Sequence, residues 1–323
     1  DMSLILLSND LLNTSSIVLG ANYNTNENAL SGRAQFSYAG LYPILDLGLR
    51  YGRRTANYRR YIGDQKEKIE DVWDEQSVAL GWRLPLNFSR GLYDTRFNMG
   101  AGVEWTDISG QGDPVRFRDG DGIFDENTNG LFAPVTYRMS YFRLLQPWIR
   151  DILPVWGQVL RLAYRHSPWE TDYRGALLSA QADLFFPGFW HHHGIYARGG
   201  YEWQEPKFNL KPYRFASEMA FPRGYSYRFH ERFYRASLDY ALPLAYPDLA
   251  LGAWLFVKRL KGGVFYDFGE GQTSGVTTRY QSAGASLSAN FHLLSLPFEL
   301  DMGVRWAYRF MDQEPRGEVV VAG

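Results

Sequence analysis

From Phe298 to Phe310 every second residue is large and apolar: Phe298, Leu300, Met302, Val304, Trp306, Tyr308 and Phe310. The residues between them are Glu299, Asp301, Gly303, Arg305, Ala307 and Arg309. Side chains on a strand alternate between faces, so this period means one apolar and one polar face. The pattern recurs. Phe97, Met99, Ala101, Val103 and Trp105 oppose Arg96, Asn98, Gly100, Gly102 and Glu104. Leu238, Tyr240 and Leu242 oppose Ser237, Asp239 and Ala241. Ala283, Ala285, Leu287, Ala289 and Phe291 oppose Ser282, Gly284, Ser286, Ser288 and Asn290. The second set in each case is small or charged, as a hydrated lumen requires.

About fourteen such strands are predicted. They lie near 15–23, 29–39, 43–53, 75–84, 94–107, 131–142, 158–166, 175–186, 194–203, 231–242, 250–268, 279–291, 297–310 and 317–323. Almost no helical segment is left to cover a two-sided soluble sheet. The fold class expected is therefore all-β: a transmembrane antiparallel β-barrel, with about fourteen strands visible and sixteen if two are missing. Residues 1–14 are apolar without clean periodicity and are expected as an N-terminal tether or partial strand, with the barrel over 15–323.

Connections alternate in length. Gly40-Leu41-Tyr42, Pro187–His193, Pro243–Asp248 and His292–Pro297 are short; Arg54–Trp73, Ile108–Gly130 and Gln204–His230 are long. Outer-membrane barrels have short periplasmic turns and longer external loops. By that rule the first strand runs outward, the last runs inward, and both chain ends are periplasmic. Arg143–Trp156, with two Trp and two Pro, replaces a short turn and is expected at the periplasmic membrane interface.

Composition narrows the class. The formal net charge of −1 gives no basic surface for nucleic acid. Aromatics make up 16 % of the 323 residues, and no apolar run is long enough for a helical span. Without Cys there are no disulfides, thiolate metal sites or Cys nucleophiles. The chain opens on Asp1-Met2-Ser3 with no signal-peptide pattern, and Val319–Gly323 reads as cut in mid-strand, so a mature or partial chain is expected.

Three constellations carry candidate chemistry. The first is Phe221-Pro222-Arg223-Gly224-Tyr225, in a long loop with five strands after it. One of those strands contains Phe265-Tyr266-Asp267-Phe268-Gly269, and the strand just after the loop contains Ser237-Leu238-Asp239-Tyr240. Asp239 and Asp267 fall on the inward phase. An Arg in a partly dry lumen needs a fixed carboxylate, which its planar fork takes at two points. Gly224 lets the loop turn without a Cβ penalty.

These residues resemble the BamA/TamA-type outer-membrane assembly barrels, the bacterial surface antigen family. That resemblance implies an inward-folded sixth external loop carrying an Arg-Gly-Tyr/Phe motif, here Arg223, Gly224 and Tyr225. It also implies that Asp267, in a Phe-x-Asp-x-Gly strand, and Asp239 hold the loop. It covers about 194–323 well and the rest by strand pattern. Pro222 stands where the family usually has a small aliphatic residue, and the family's periplasmic repeats are absent from this chain. The function implied is insertion, assembly or export of outer-membrane or surface components in a Gram-negative outer membrane. The partners implied are outer-membrane lipid and lipopolysaccharide, with envelope-complex subunits or client proteins. The alternative is a structural or porin-like barrel within a larger envelope complex, although a lumen plugged by Gln204–His230 argues against free diffusion.

The second constellation is Asp119-Gly120-Asp121-Gly122-Ile123-Phe124-Asp125-Glu126-Asn127. Asp119, Asp121, the Ile123 carbonyl, Asp125 and Asn127 match the middle of a Ca²⁺ loop. Position one would be Phe117 and position twelve Thr128, neither a carboxylate. The other reading is a solvated, acidic external loop. No cofactor is required; Ca²⁺ would only stiffen the loop. The third, His191-His192-His193, cannot aim three adjacent rings at one metal from an extended strand and reads as a polar turn. No G-x-S-x-G elbow appears, so an enzyme is not expected. Glu299 and Asp301 are expected in a lumen network with Arg305 and Arg309.

Overall fold

The computed structural model describes residues 2–62, 65–110, 115–119, 122–126, 129–146, 148, 150–206, 211–252, 254–293 and 299–322, with backbone alone over parts of 56–71, 115–126 and 206–212 and at 251, 321 and 322. The strands in chain order are β1 (Met2–Asn9), β2 (Ser15–Asn24), β3 (Ala29–Tyr38), β4 (Ile44–Ile62), β5 (Gln65–Asn87) and β6 (Tyr93–Ser109). A separate hairpin, β7 (Val115–Asp119) with β8 (Gly122–Glu126), is followed by β9 (Gly130–Phe132), β10 (Val135–Leu145), β11 (Gly157–His166), β12 (Tyr173–Pro187) and β13 (Gly194–Pro206). Then come β14 (Lys211–Pro212), β15 (Arg232–Ala245), β16 (Leu249–Leu251), β17 (Leu255–Thr273), β18 (Val276–Leu293), β19 (Leu300–Arg309) and β20 (Glu314–Ala322).

Among the described residues seventeen strands share one antiparallel sheet, and β14 adds a two-residue parallel pairing with β12. Setting aside the three-residue β9 and β16 leaves fifteen long strands, not fourteen. The added one is β1, paired with β2 along its whole length, Met2 to Tyr23 through Asn9 to Ser16. Its alternation is hidden because Ile5 and Leu7 share the face of Gly20 and Val18, which points inward. The sheet thus begins at Met2 rather than near residue 15. β1 runs toward the short-turn end, and β2, the strand expected first, runs away from it as expected. β1 and β20 run the same way, and among the described residues no ladder joins them. Arg54–Trp73, expected as a long connection, is mostly continuous β4 and β5.

The sheet is inside-out relative to a soluble domain. The outward face carries exposed Leu45, Leu80, Met139, Leu162, Leu238, Tyr266, Val304 and Trp306. The inward face buries Ser179, Asp183, Glu202, Gln204, Arg235, Ser237, Asp267 and Ser282. Apolar surface this continuous is what lipid contact demands.

The segment 213–231 lies across the inward face. Its Glu218 meets Arg138 on β10, and its Gly224 carbonyl accepts from Arg316 on β20. Those strands are eight spacings apart, about 38 Å in a flat sheet. Six residues of chain reach about 20 Å, so the segment and the side chains it meets together bridge the inward face from β10 to β20. Counted within this chain, it is the fifth connection at the long-loop end.

At the opposite end, the described residues 146, 148 and 150–156 form a strap. Asp151 is buried, its Oδ1 2.8 Å from His192 Nδ1, and its carbonyl accepts from Arg259 on β17 at 2.9 Å. The Arg150 carbonyl accepts from the Tyr246 hydroxyl at 2.8 Å. The strap starts between β10 and β11, so these bonds carry it past β12, β13 and β15. Trp148 remains exposed on it.

Candidate functional site

The site is built where the loop meets β13–β20. On β15 and β17 the inward phase places Arg235, Ser237 and Asp239 beside Phe265, Asp267 and Gly269, with Ser237 directly opposite Asp267 and Asp239 opposite Phe265. Arg223 enters this patch from the loop. Its Nε donates to Asp267 Oδ2 at 2.7 Å, its Nη2 to Asp267 Oδ1 at 2.8 Å, and its backbone N to Asp267 Oδ2 at 2.9 Å. Nη1 donates to Asp239 Oδ1, and Nη2 also reaches Asp239 Oδ2 at 3.1 Å and Ser237 Oγ at 3.0 Å. Ser237 Oγ donates in turn to Asp267 Oδ1. The guanidinium lies 3.7 Å from the Phe265 ring centroid, so it is stacked as well as chelated.

Charge balances here. Asp267 is wholly buried, and Arg235 Nη2 lies 3.8 Å from its Oδ1, so two cations answer two carboxylates. Burial opposes the charge on Arg223, but the hydrogen bonds to Asp267 and Asp239 outweigh it and hold its pKa above the ordinary value.

Gly224 has φ +85°, a left-handed backbone, and a Cβ there would sit 3.1 Å from Ala307 Cβ on β19. The Tyr225 hydroxyl donates to the Gln281 carbonyl at 2.8 Å and accepts from Met311 N at 3.2 Å. The structure therefore brings Arg223, Gly224, Tyr225, Asp239 and Asp267 together, the last two as joint acceptors for Arg223. Ser237, Arg235 and Phe265 belong to the same cluster. Ser237 and Phe265 stood inside the quoted motifs, but a single chain gives no sign of which neighbour an inward Ser or Phe will meet.

Two apolar clusters seat the loop on either side. Met219, Phe233 and Tyr280 form one, with Phe221 and Tyr225 against it; Phe132, Tyr173, Leu177 and Phe215 form the other, with Tyr213. Between them Glu202 accepts from the Ser217 hydroxyl at 2.9 Å and from Glu218 N at 3.0 Å. His230 closes the loop, with Nε2 3.0 Å from the Tyr280 hydroxyl and Nδ1 3.1 Å from Thr273 Oγ1. Burial, and after it the charge of Arg228, push the His230 pKa below its ordinary value. A depressed pKa means stability that is complete above about pH 6.5 and lost as pH falls through the folded value. Limited proteolysis should therefore cut 213–231 faster at pH 5 than at pH 7.5, and His230→Gln should flatten that dependence.

The other candidates resolve differently. Asp121 and Asn127 lie outside the described residues, and of Asp119, Ile123 and Asp125 only the backbone is described, on β7 and β8. His192 binds Asp151 and His193 Nδ1 lies 2.7 Å from the Tyr240 hydroxyl, so neighbouring rings serve different partners. Among the described residues no group of three His, Asp or Glu side chains is placed to hold a metal. Glu299 and Asp301 do not pair with Arg305 and Arg309. Glu299 pairs with Lys258 and Arg259, and Asp301 with Lys261, while Arg305 and Arg309 reach Glu318 and Glu314 on β20. Arg305 and Arg309 thus meet their direct cross-strand partners on β20, whereas Glu299 and Asp301 reach across β18 to β17.

Comparison with solved structures bears on this arrangement. A crystal structure of BamA from Haemophilus ducreyi lacking POTRA domains 1–3 superposes with a TM-score of 0.59, over 99% of this chain and 66% of that one. The fold is that of a BamA-type barrel. At 11% identity the likeness is one of fold. No protein-family model matches the chain. No curated protein matches it either.

The loop does not fill the BamA-type lumen. It packs on β10–β20, and a cavity of about 1000 Å³ remains against β3–β6 and β10–β12. A second, of about 740 Å³, adjoins it beside β1 and β2. The plug inferred from loop length is thus partial.

Proposed function

We propose that the chain is an outer-membrane barrel that takes part in inserting, assembling or exporting outer-membrane components. The observation that carries this reading is Arg223, held by Asp239 and Asp267 so that an external loop is tied inside the lumen. Such a tie suits a barrel that works on its surroundings, because it braces the wall from inside. The BamA-type fold supports the same reading, as does the apolar outward face. The test is insertion of an unfolded outer-membrane client into liposomes carrying the purified protein. Acceleration over empty liposomes, reduced by Arg223→Ala, is the expected result; no acceleration by the wild type contradicts it.

One observation favours a second reading, a conduit or structural barrel within an envelope complex. The half-lumen left open by the loop is large, and arginines and carboxylates are among its lining residues. Planar-bilayer recording separates the two: a large, steady current through the wild type supports the conduit.

A further inference from the structure

The open half-lumen has a chemical character of its own. Its floor is made by inward Gly48, Gly81, Gly100 and Gly102, which carry no side chain and leave the volume empty. Arginines line the same cavity. Arg33 on β3 and Arg50 on β4 are direct cross-strand partners. Like charges placed opposite each other destabilise a sheet unless something neutralises them. Only Arg50 has a carboxylate, Glu104 at 2.6 Å. Among the described residues Arg33 has neither an ion pair nor a hydrogen-bond partner, although it lines both cavities. Its stem lies along Gly20 of β2, where a Cβ would come within 2.9 Å of Arg33 Nε. Lower on the same wall Arg83 and Arg138 flank Gly100, which is the cross-strand partner of both. The larger cavity is lined by five Arg against Asp46, Glu104 and Glu218. Arg161 is matched by Asp183 at 2.5 Å, Arg83 by Asp46, and Arg138 shares Glu218 with Arg165, so among the described residues Arg33 is the lining arginine with no carboxylate.

We propose that this half-lumen is an anion-binding cavity that takes a phosphate-bearing ligand at Arg33. A guanidinium fork without a carboxylate suits a phosphate, which accepts from it at two points, and Arg50 on the neighbouring strand adds positive charge. Glu104 keeps one fork in place and limits the net charge the ligand must answer. The phosphate is carried by a lipid headgroup or is free in solution; the chemistry at the arginines is the same. The proposal does not depend on insertase activity, so the two fail independently.

The test uses the purified barrel in neutral detergent, with inorganic pyrophosphate as probe and thermal unfolding as readout. The wild type should show a saturable rise in midpoint with pyrophosphate. Arg33→Gln should unfold at a higher temperature than the wild type without probe, because the opposed charges are gone. The same variant should bind pyrophosphate at least tenfold more weakly. That pair of opposite signs separates a ligand site from a structural arginine. Arg279→Gln, at an exposed position paired with Glu270, should match the wild type in both respects. Nanodiscs of phosphatidylglycerol that compete with pyrophosphate would assign the phosphate to lipid, and absence of competition to a soluble anion. Pyrophosphate binding that is unsaturable, or equal in Arg33→Gln, overturns the proposal.

Discussion

Arg223→Ala should release the loop and lower the temperature at which the folded barrel unfolds on gels. The side chain ties Asp267, Asp239 and Ser237 to the loop and stacks on Phe265, so truncation removes the whole set at once. Of its cations Asp267 would keep only Arg235, 3.8 Å away, beside the Ser237 hydroxyl, for a carboxylate with no exposure. Leaving a buried charge short of its partner costs about 3–5 kcal/mol. Arg223→Lys should fall between wild type and Ala, since an ammonium keeps the charge but not the planar fork. Proteolysis of 213–231 should rise in the same order. An unfolding midpoint for Arg223→Ala equal to that of the wild type would mean that the loop is not held by this network.

Gly271→Val should have the next largest effect, by steric rather than electrostatic means. A Cβ at Gly271 would lie 2.3 Å from His230 Cδ2 and 2.5 Å from its Nε2. His230 has little room to retreat. Its ring stacks with Phe233 at 5.7 Å and Phe221 at 6.3 Å, and both nitrogens are held by Tyr280 and Thr273. Overpacking of this kind costs about 1–3 kcal/mol and shifts backbone. The expected result is loss of the loop's C-terminal seat, seen as faster cleavage near His230 and a lower midpoint. Gly32→Val is the control, since a Cβ there meets nothing nearer than 3.9 Å. Equal behaviour of the two variants would contradict the packing described.

The inside-out character was legible in residues such as Phe298–Phe310, because period 2 is a property of single strands. Asp239 and Asp267 were legible as inward for the same reason, and their encounter with Arg223 followed from the motif resemblance. The pairings of Glu299, Asp301, Arg305 and Arg309 were not, because ladder register decides them and register is not written in one strand. β1 escaped because Ile5 and Leu7 put apolar side chains on the inward face and erased the alternation. The strap at Asp151 and the half-empty lumen are tertiary facts. An inward Gly48 or Gly100 shows that a wall is thin, not what lies beyond it.

The central claim is that the loop carrying Arg223 lies inside the barrel against β13–β20. The chain has no native cysteine, so one introduced pair reports without background. Met219 is buried, and its Sδ is 2.5 Å from where a Gly200 Cβ would be. Met219→Cys with Gly200→Cys, treated with a short bifunctional thiol reagent on the folded barrel, should give a crosslinked product in high yield. The same pair in an Arg223→Ala background should crosslink less. Two cysteines that each label singly but do not crosslink in the otherwise wild-type barrel would contradict the account.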